Sequence, residues 1–216
     1  MESSRFTDNS LSNSIAEQIT SQIISGELKP NEKLVEIEYA EEFGTSRAPV
    51  REAIYLLATE GLVERIPRKG AIVKEYGKNE IYDLLEIRNM LENMALKRIE
   101  TNGINPKLLE EMNQLLEKMK TSENVLDYTQ LNHSFHMCLI RMSKSETIKD
   151  MYLRLGKPLL RIQGLSFSRE GNIKKSMKEH EMIIQLLYEG NLVKLKELLV
   201  KHNEDVIGSI QKELDS

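Results

Sequence analysis

The sequence predicts a mostly α-helical protein, in which a small N-terminal domain precedes a larger helical bundle. Apolar residues recur every three or four positions through most of the chain, which is the period of amphipathic helices. Aromatic residues make up only 5% of the chain and Trp is absent, so Leu, Ile and Met must fill the core. That composition favours helix packing over a β-sandwich, because strands prefer aromatic and β-branched residues.

The N-terminal domain begins with helices. Residues 1–10 are polar, and we expect them to form a flexible N-terminus. Periodic apolar residues then predict three helices, at 11–24, at 36–43, and from Thr45 or Ser46 to 60. Gly26 ends the first helix and Gly44 the second, and the hydroxyl of Thr45 or Ser46 can cap the third.

A β-hairpin is expected after the third helix. Two short runs with β-type composition, 62–66 and 71–75, flank the segment Pro67-Arg68-Lys69-Gly70, which is typical of a turn and carries two positive charges. Two helices joined by a tight turn at Gly44 make a helix-turn-helix. The order of three helices and a hairpin therefore predicts a winged helix-turn-helix over residues 11–76.

The rest of the chain is expected to be helical. A linker at residues 77–78 leads into a second domain, 79–216, in which the apolar period of a helix continues to the end. The six helices predicted there span residues 79–101, 106–120, 123–142, 146–167, 172–189 and 192–213. The second domain is thus predicted to be an all-α bundle.

Charge and composition exclude several classes of protein. The net charge is −4, and residues 1–76 carry nine Lys or Arg against thirteen Asp or Glu, so any DNA contact must rest on a local basic cluster. No apolar run reaches the ~18 residues of a membrane span, and the N-terminus lacks the apolar segment of a signal peptide. Because Cys138 is the single cysteine, no intrachain disulfide can form. These features predict a cytoplasmic protein.

Basic residues of the third helix and of the hairpin indicate DNA binding. Arg47 and Arg51 are four residues apart, so they share one face of the helix that would enter the major groove. Arginine suits this position because its planar guanidinium can donate two hydrogen bonds to a guanine edge or to a phosphate. Arg65, Arg68 and Lys69 of the hairpin could reach a neighbouring DNA backbone or the minor groove, and Gly70 permits a close approach.

The alternative for the two helix arginines is a solvated surface. Arg47 and Arg51 would then pair with Glu52 or Glu41 and have no functional role. Their coincidence with a tight turn, a capped helix and a basic hairpin favours DNA binding over this alternative.

The segment EIEYAEEFGTSRAPVREAIYLLATEGLV, residues 36–63, resembles the helix-turn-helix signature of the GntR family of bacterial regulators. The resemblance extends over about residues 11–75. It implies that the protein binds double-stranded DNA. The residues implied to contact that DNA are Ser46, Arg47, Arg51 and Gly70.

Histidines in the second domain indicate a metal site. His136, His180 and His202 lie on apolar stripes, so each should face the bundle interior. An antiparallel pairing of the last two helices would bring His180 and His202 level, and Asn132 lies four residues before His136 on another helix. Three imidazoles and one side-chain oxygen could surround a divalent metal. The alternative is three ordinary core histidines; His133 lies off its stripe and is interpreted as a surface or structural residue.

Arg88 is a second candidate binding residue in this domain. It falls among the inward-facing apolar residues of its helix, and a buried guanidinium needs an anion. The anion could be an internal carboxylate, such as Glu92 or Glu86, or the carboxylate of an effector bound through two hydrogen bonds. The sequence leaves both possibilities open.

Taken together, these residues resemble the FCD effector domain of the FadR-type branch of the GntR family, in its six-helix VanR-like form. The match covers about residues 79–213 and rests on an Asp or Asn four residues before a His, followed by two later His. It implies that Asn132, His136, His180 and His202 hold zinc, nickel or manganese, and that an organic acid completes the coordination near Arg88. Asn132 replaces the commoner Asp, which lowers the negative charge of the site.

The function expected from both domains is that of a homodimeric transcription regulator, a repressor. It would bind a palindromic operator, and a small carboxylate effector would control that binding. One alternative is the same DNA-binding dimer with a purely structural second domain. A remote alternative is a hydrolase with a metal held by three histidines. The sequence offers no obvious general base for it, because Asn132 cannot serve and Glu179 and Glu181 are predicted to lie off the metal-facing side of His180. No His-Glu-x-x-His motif occurs either. We therefore expect no enzyme activity.

Overall fold

The computed structural model describes the backbone of residues 3–68 and 70–214, and the side chains of residues 11–68 and 70–210. The chain divides into two compact units, Met1–Tyr76 and Gly77–Ser216. Within the described residues, none of the helices has an apolar stretch long enough to cross a lipid bilayer.

The first unit contains three helices and three short strands in its described part. Their bounds are α1 Ser3–Ser25, β1 Lys33–Leu34, α2 Glu36–Glu42, α3 Arg47–Thr59, β2 Val63–Ile66 and β3 Gly70–Val73. The three helices and the hairpin occur where the sequence predicts them. However, α1 begins at Ser3 and takes in residues 3–10, for which we expected a flexible segment, and β1 was not predicted at all.

Strand β1 is too short to be recognised from its own sequence pattern. It exists because it pairs with β3, where Lys33 lies opposite Ile72 and Leu34 opposite Ala71. The described strands form an antiparallel sheet in the order β1-β3-β2. The basic hairpin of the sequence is thus the outer part of a winged helix-turn-helix.

One face of α3 is buried and the other is free to contact a ligand. Val50, Ala53 and Leu57 are fully buried against the core that α1 completes, since α1 packs on α3. Gly44 turns the chain between α2 and α3 with a positive φ of 60°, which glycine adopts without strain. The turn therefore presents the opposite face of α3, beginning at Arg47, to solvent.

The described part of the second unit is a bundle of six helices. Their bounds are α4 Lys78–Asn102, α5 Pro106–Lys120, α6 Val125–Met142, α7 Glu146–Phe167, α8 Asn172–Tyr188 and α9 Leu192–Leu214. Asn105, Asn124 and Ser145 cap α5, α6 and α7 by accepting hydrogen bonds from backbone amides. The mostly α-helical fold class is confirmed. Helices α4, α6, α8 and α9 position the site described next.

Candidate functional site

Three helices of the second unit each bring one imidazole to a common point. His136 of α6, His180 of α8 and His202 of α9 are all at least 99% buried. The Nε2 atoms of His136 and His180 lie 3.3 Å apart. One nitrogen from each of the three rings lies within 4.8 Å of the others. Imidazole nitrogens at this spacing can bind one transition-metal ion.

A carboxylate stands behind two of the three imidazoles. The Nδ1 atom of His136 lies 3.0 Å from Glu92 Oε1, and the Nδ1 atom of His202 lies 2.6 Å from Glu179 Oε2. A carboxylate that accepts the Nδ1 proton fixes the tautomer and leaves the Nε2 lone pair for a metal. From the sequence, Glu179 was placed off the metal-facing side of His180, and its contact with His202 was not identified. Its neighbour His180 does face inward, but Glu179 reaches across to α9.

Burial favours the neutral form of two of the three imidazoles, those of His136 and His180. Burial is the main reason why the pKa of His136 falls to about 3, and the charge of Arg88 lowers it further. The pKa of His180 is also well below its ordinary value, first because of burial and then because of His202 and His136. Neutral imidazole is the form that coordinates metal ions.

Glu92 connects the histidines to Arg88. It accepts a hydrogen bond of 2.9 Å from Arg88 Nε and one of 3.2 Å from Asn203 Nδ2, while Oε1 also faces His136. Burial alone would raise the pKa of the Glu92 carboxyl, but Arg88 and His136 outweigh it and hold that pKa below its ordinary value. Glu92 is therefore an ionised carboxylate in the core.

The internal partner of Arg88 is Glu92, one of the two carboxylates that the sequence suggested. The contact uses only Nε, however, and Nη1 and Nη2 of this fully buried guanidinium have no hydrogen-bond partner. A buried donor without a partner costs about 1–3 kcal/mol. The hydroxyl of the buried Tyr152 also lies close to the Arg88 side chain, and it has no other hydrogen-bond partner. Binding of an effector carboxylate by Nη1 and Nη2, the other alternative left open by the sequence, stays a prediction.

Further polar atoms in the bundle lack partners. Asn132 is fully buried one turn before His136, and neither its Nδ2 nor its Oδ1 makes a hydrogen bond. The Nε2 atom of His202 is also unpaired. The three imidazoles have nitrogens that either face each other closely or lack a partner, and two of the rings contact a carboxylate through Nδ1. This arrangement fits a bound metal ion. Oδ1 of Asn132 is chemically suited to be a further ligand.

The fourth histidine lies apart from this cluster. His133 is half-buried, and its ring stacks on that of Tyr152 with centroids 5.5 Å apart. Burial, and then the charge of Arg88, lower its pKa to about 4. The structure therefore gives His133 a packing position between α6 and α7.

The residues expected to bind DNA lie at the start of α3. Ser46 occupies the N-cap position, but its side chain makes no capping hydrogen bond. Ser46, Arg47 and Arg51 are all exposed. The ion pair suggested for Arg51 with Glu52 or Glu41 was wrong, because Arg51 Nη2 lies 2.8 Å from Oε2 of Glu36.

The hairpin borders the same surface. A cleft with a volume of about 610 Å³ lies between α3 and the hairpin, and basic residues contribute to its lining: Lys33, Arg51, Arg65 and Arg68. Arg68 and Gly70 are exposed, with positive φ angles of 66° and 93°. Lys69 lies outside the described residues. Arg51 of α3 and the arginines of the hairpin thus border one concave surface.

Comparisons with known proteins agree with this architecture. Residues 11–73 match the gntR family of bacterial regulatory proteins, and residues 83–205 match the FCD domain. The chain is 27% identical over 206 residues to the gluconate operon transcriptional repressor of Bacillus subtilis. That alignment covers 91% of this chain and 84% of the repressor. It is 28% identical over 178 residues to the HTH-type transcriptional regulator McbR of Escherichia coli, covering 79% and 77%.

Solved structures show the same fold. A GntR transcriptional regulator from Rhodococcus sp. RHA1 superimposes with a TM-score of 0.77 at 21% identity, covering 94% of this chain and 98% of that one. The structure of McbR from Escherichia coli gives a TM-score of 0.72 at 21% identity, with the same coverage. At this level of identity the likeness extends to the fold alone.

Proposed function

The chain belongs to the gntR family of bacterial regulatory proteins that carry an FCD domain, and we propose that it is a metal-dependent, carboxylate-sensing repressor. The observation that carries the proposal is the cluster of His136, His180 and His202 in the core of the second unit. A core that needed only to pack would not place three imidazoles together and leave their neighbours Arg88 and Asn132 without full hydrogen bonding.

We propose that α3 enters the major groove of an operator. Arg47 and Arg51 would contact base edges or phosphates, and Ser46 at the helix N-terminus would bind a phosphate. In the hairpin, Arg68, Lys69 and Gly70 would lie against the adjacent backbone. The protein would act in the cytoplasm, where bacterial DNA is found.

A homodimer bound to a palindromic operator is part of this proposal, and α4 offers a surface for pairing. Its exposed stripe has acidic residues near the start, apolar residues in the middle and basic residues near the end: Asp83, Glu86, Ile87, Met90, Met94, Lys97 and Arg98. Met90 is 56% exposed, and Asp83 and Lys97 lie about 10 Å from it in opposite directions.

Two copies of α4 that pair antiparallel about Met90 would match this stripe to itself. The apolar residues would meet at the centre, and Asp83 would face the partner's Lys97. A twofold axis at this point would set two copies of α3 to read two half-sites in opposite directions, which is why we expect an inverted repeat.

In the second unit, we propose that His136, His180 and His202 hold one divalent ion, with Asn132 as a further ligand. Zinc, nickel and manganese are the candidates. When bound, the ion would supply positive charge and open coordination positions for an oxygen of an organic acid. Glu92 and Glu179 would hold the imidazoles in place, as carboxylates do behind metal-bound histidines.

The unpaired Nη1 and Nη2 atoms of Arg88 would bind a carboxylate of the same effector through two hydrogen bonds. Effector binding would shift the protein between two states that differ in DNA affinity. We propose no catalytic role, because the carboxylate of Glu179 is engaged by His202 and Glu92 by Arg88, His136 and Asn203.

The experiment that tests this function is elemental analysis of protein purified without a His-tag, followed by thermal-shift screening of small carboxylates with and without the metal found. The panel includes gluconate, because a relative is a gluconate operon repressor. We expect bound metal and at least one acid that stabilises only the metal-loaded protein. Absence of metal together with no shift from zinc, nickel or manganese would instead favour a purely structural second domain.

A further inference from the structure

The guanidinium of Arg51 is held by a side chain of the neighbouring helix. Arg51 Nε lies 3.1 Å from Oε1 of Glu36, and Arg51 Nη2 lies 2.8 Å from Oε2. Both oxygens of the carboxylate are therefore used in two roughly parallel hydrogen bonds, the geometry that fixes an arginine most firmly. The pair links α2 to α3 at the surface proposed to bind DNA.

Glu36 is itself held in place. It is the first residue of α2, where the helix dipole favours a negative charge, and α2 is anchored by the buried residues Tyr39 and Ala40. The pKa of Glu36 is lowered chiefly because its carboxylate accepts hydrogen bonds from Arg51, and the charges of Arg47 and Arg65 lower it further. An ionised carboxylate therefore lies among three arginines of the basic surface.

Fold stability does not account for this arrangement. The side chains of Arg51 and Glu36 remain 59% and 33% exposed, and ion pairs at that exposure contribute little to stability. A negative charge at this place also weakens the attraction of the surface for DNA phosphates. The contact therefore opposes non-specific binding without stabilising the fold appreciably, which calls for another role.

The contact leaves the outer edge of the guanidinium available. A guanidinium has five N–H donors, and Glu36 occupies the one on Nε and one on Nη2. Both donors on Nη1 and the second on Nη2 remain. Reading guanine through O6 and N7 requires two such donors side by side. An arginine without the restraint would be free to turn to a phosphate, which carries no sequence information.

We propose that Glu36 is a positioning residue for sequence recognition: it holds Arg51 ready for a base edge and disfavours phosphate contacts near it. The inference rests on the proposed DNA-binding function. Glu36 itself donates nothing to DNA and acts only through Arg51. It therefore raises the preference for one sequence over others more than it raises affinity for DNA in general.

The test begins with duplexes that the wild-type protein enriches from a random-sequence library. Dissociation constants are then measured at matched salt on an enriched duplex and on its scrambled version. The proteins compared are wild type, Glu36→Gln, Arg51→Ala, the double variant, and Glu38→Gln as control. Glu38 is an exposed acidic residue in the same first turn of α2, so the control removes the same charge.

We expect Glu36→Gln to reduce the preference for the enriched duplex by about tenfold, the scale of one bidentate base contact. Binding to the scrambled duplex should be unchanged or tighter, because a negative charge is lost. In the Arg51→Ala background, the second substitution should cause no further loss of preference. Glu38→Gln should keep the wild-type preference.

Three results would overturn the role of Glu36. They are an unchanged preference in Glu36→Gln, a preference that rises because that variant binds the enriched duplex more tightly, and an equal loss in the Arg51→Ala background. Tighter specific binding would mean that Glu36 competes with DNA for Arg51. A wild-type protein that enriches no sequence would overturn the DNA-binding proposal itself, and with it this one.

Discussion

The Nε2 atoms of His136 and His180 lie 3.3 Å apart in a part of the core where both side chains are fully buried. Two neutral imidazoles at this distance can share one proton between these nitrogens, but the Nε2 atom of His202 then remains unpaired beside them. A metal ion would instead accept a lone pair from all three rings. The geometry of this pair is the basis of the first prediction.

Replacing His180 by Ala should abolish stoichiometric metal binding, because only two of the three imidazoles remain. His133→Ala is the matched control, since His133 lies on the same bundle but packs on Tyr152. Metal content by elemental analysis and the shift of the unfolding temperature on adding zinc provide the readout. A ligand at a hundred times its Kd stabilises the fold by about 2.7 kcal/mol, so the shift is measurable. Equal metal content in the two variants would argue against the site.

Arg88→Ala should destabilise the second unit strongly, because it leaves the ionised carboxylate of Glu92 buried without its main positive partner. Removing one partner of a buried ion pair costs about 3–5 kcal/mol. Urea unfolding should show this loss, and Glu92→Gln in the same chain should recover part of it by removing the unpaired charge. A loss below about 1 kcal/mol would show that Glu92 does not depend on Arg88.

Met90→Lys should convert the protein to a monomer, because it puts a positive charge at the centre of the apolar stripe on α4. Met182→Lys is the control: Met182 is 46% exposed on α8, against 56% for Met90, and lies outside the stripe. Sedimentation equilibrium measures the mass of each variant. A dimer that survives Met90→Lys, or one that Met182→Lys disrupts, would place the interface elsewhere.

Arg47→Ala should weaken binding to an enriched duplex by about tenfold, because this exposed residue opens α3 and a bidentate arginine contact to a base is worth about 1–3 kcal/mol. Arg154→Ala removes the same charge from an exposed position on α7 and should leave DNA binding unchanged. Fluorescence anisotropy at matched salt measures both. Equal weakening by the two variants would mean that net charge, and not the position of Arg47, governs binding.

The helices of the second unit could be predicted from the sequence almost to the residue. Their apolar period is strong, and polar or glycine-containing segments separate them, so local pattern and tertiary packing agree. Strand β1 could not be predicted, because Lys33 and Leu34 acquire strand structure only by pairing with β3, which lies almost forty residues later in the chain. Short strands defined by non-local pairing carry no period of their own.

The same limit applies to the site. The spacing of His136, His180 and His202 on apolar stripes was enough to predict that they face inward, because helical period determines direction. The sequence did not reveal the partners of Arg51 and His202, which are Glu36 and Glu179. Each partner lies on a different helix from the residue it contacts, so neighbours in the sequence gave no sign of it. Which carboxylate pairs with a given arginine or histidine depends on how the helices pack. A single sequence does not specify that packing.

The most direct test of the account measures the Kd for an enriched duplex, with metal present, in the presence and absence of each carboxylate of the panel. Wild type and His180→Ala are compared. The account predicts that at least one acid changes the Kd of the wild-type protein by about fivefold or more, the lower range of allosteric coupling, and has no effect on His180→Ala. No response to any acid of the panel, or a response that persists in His180→Ala, would contradict the claim that the histidine cluster controls DNA binding.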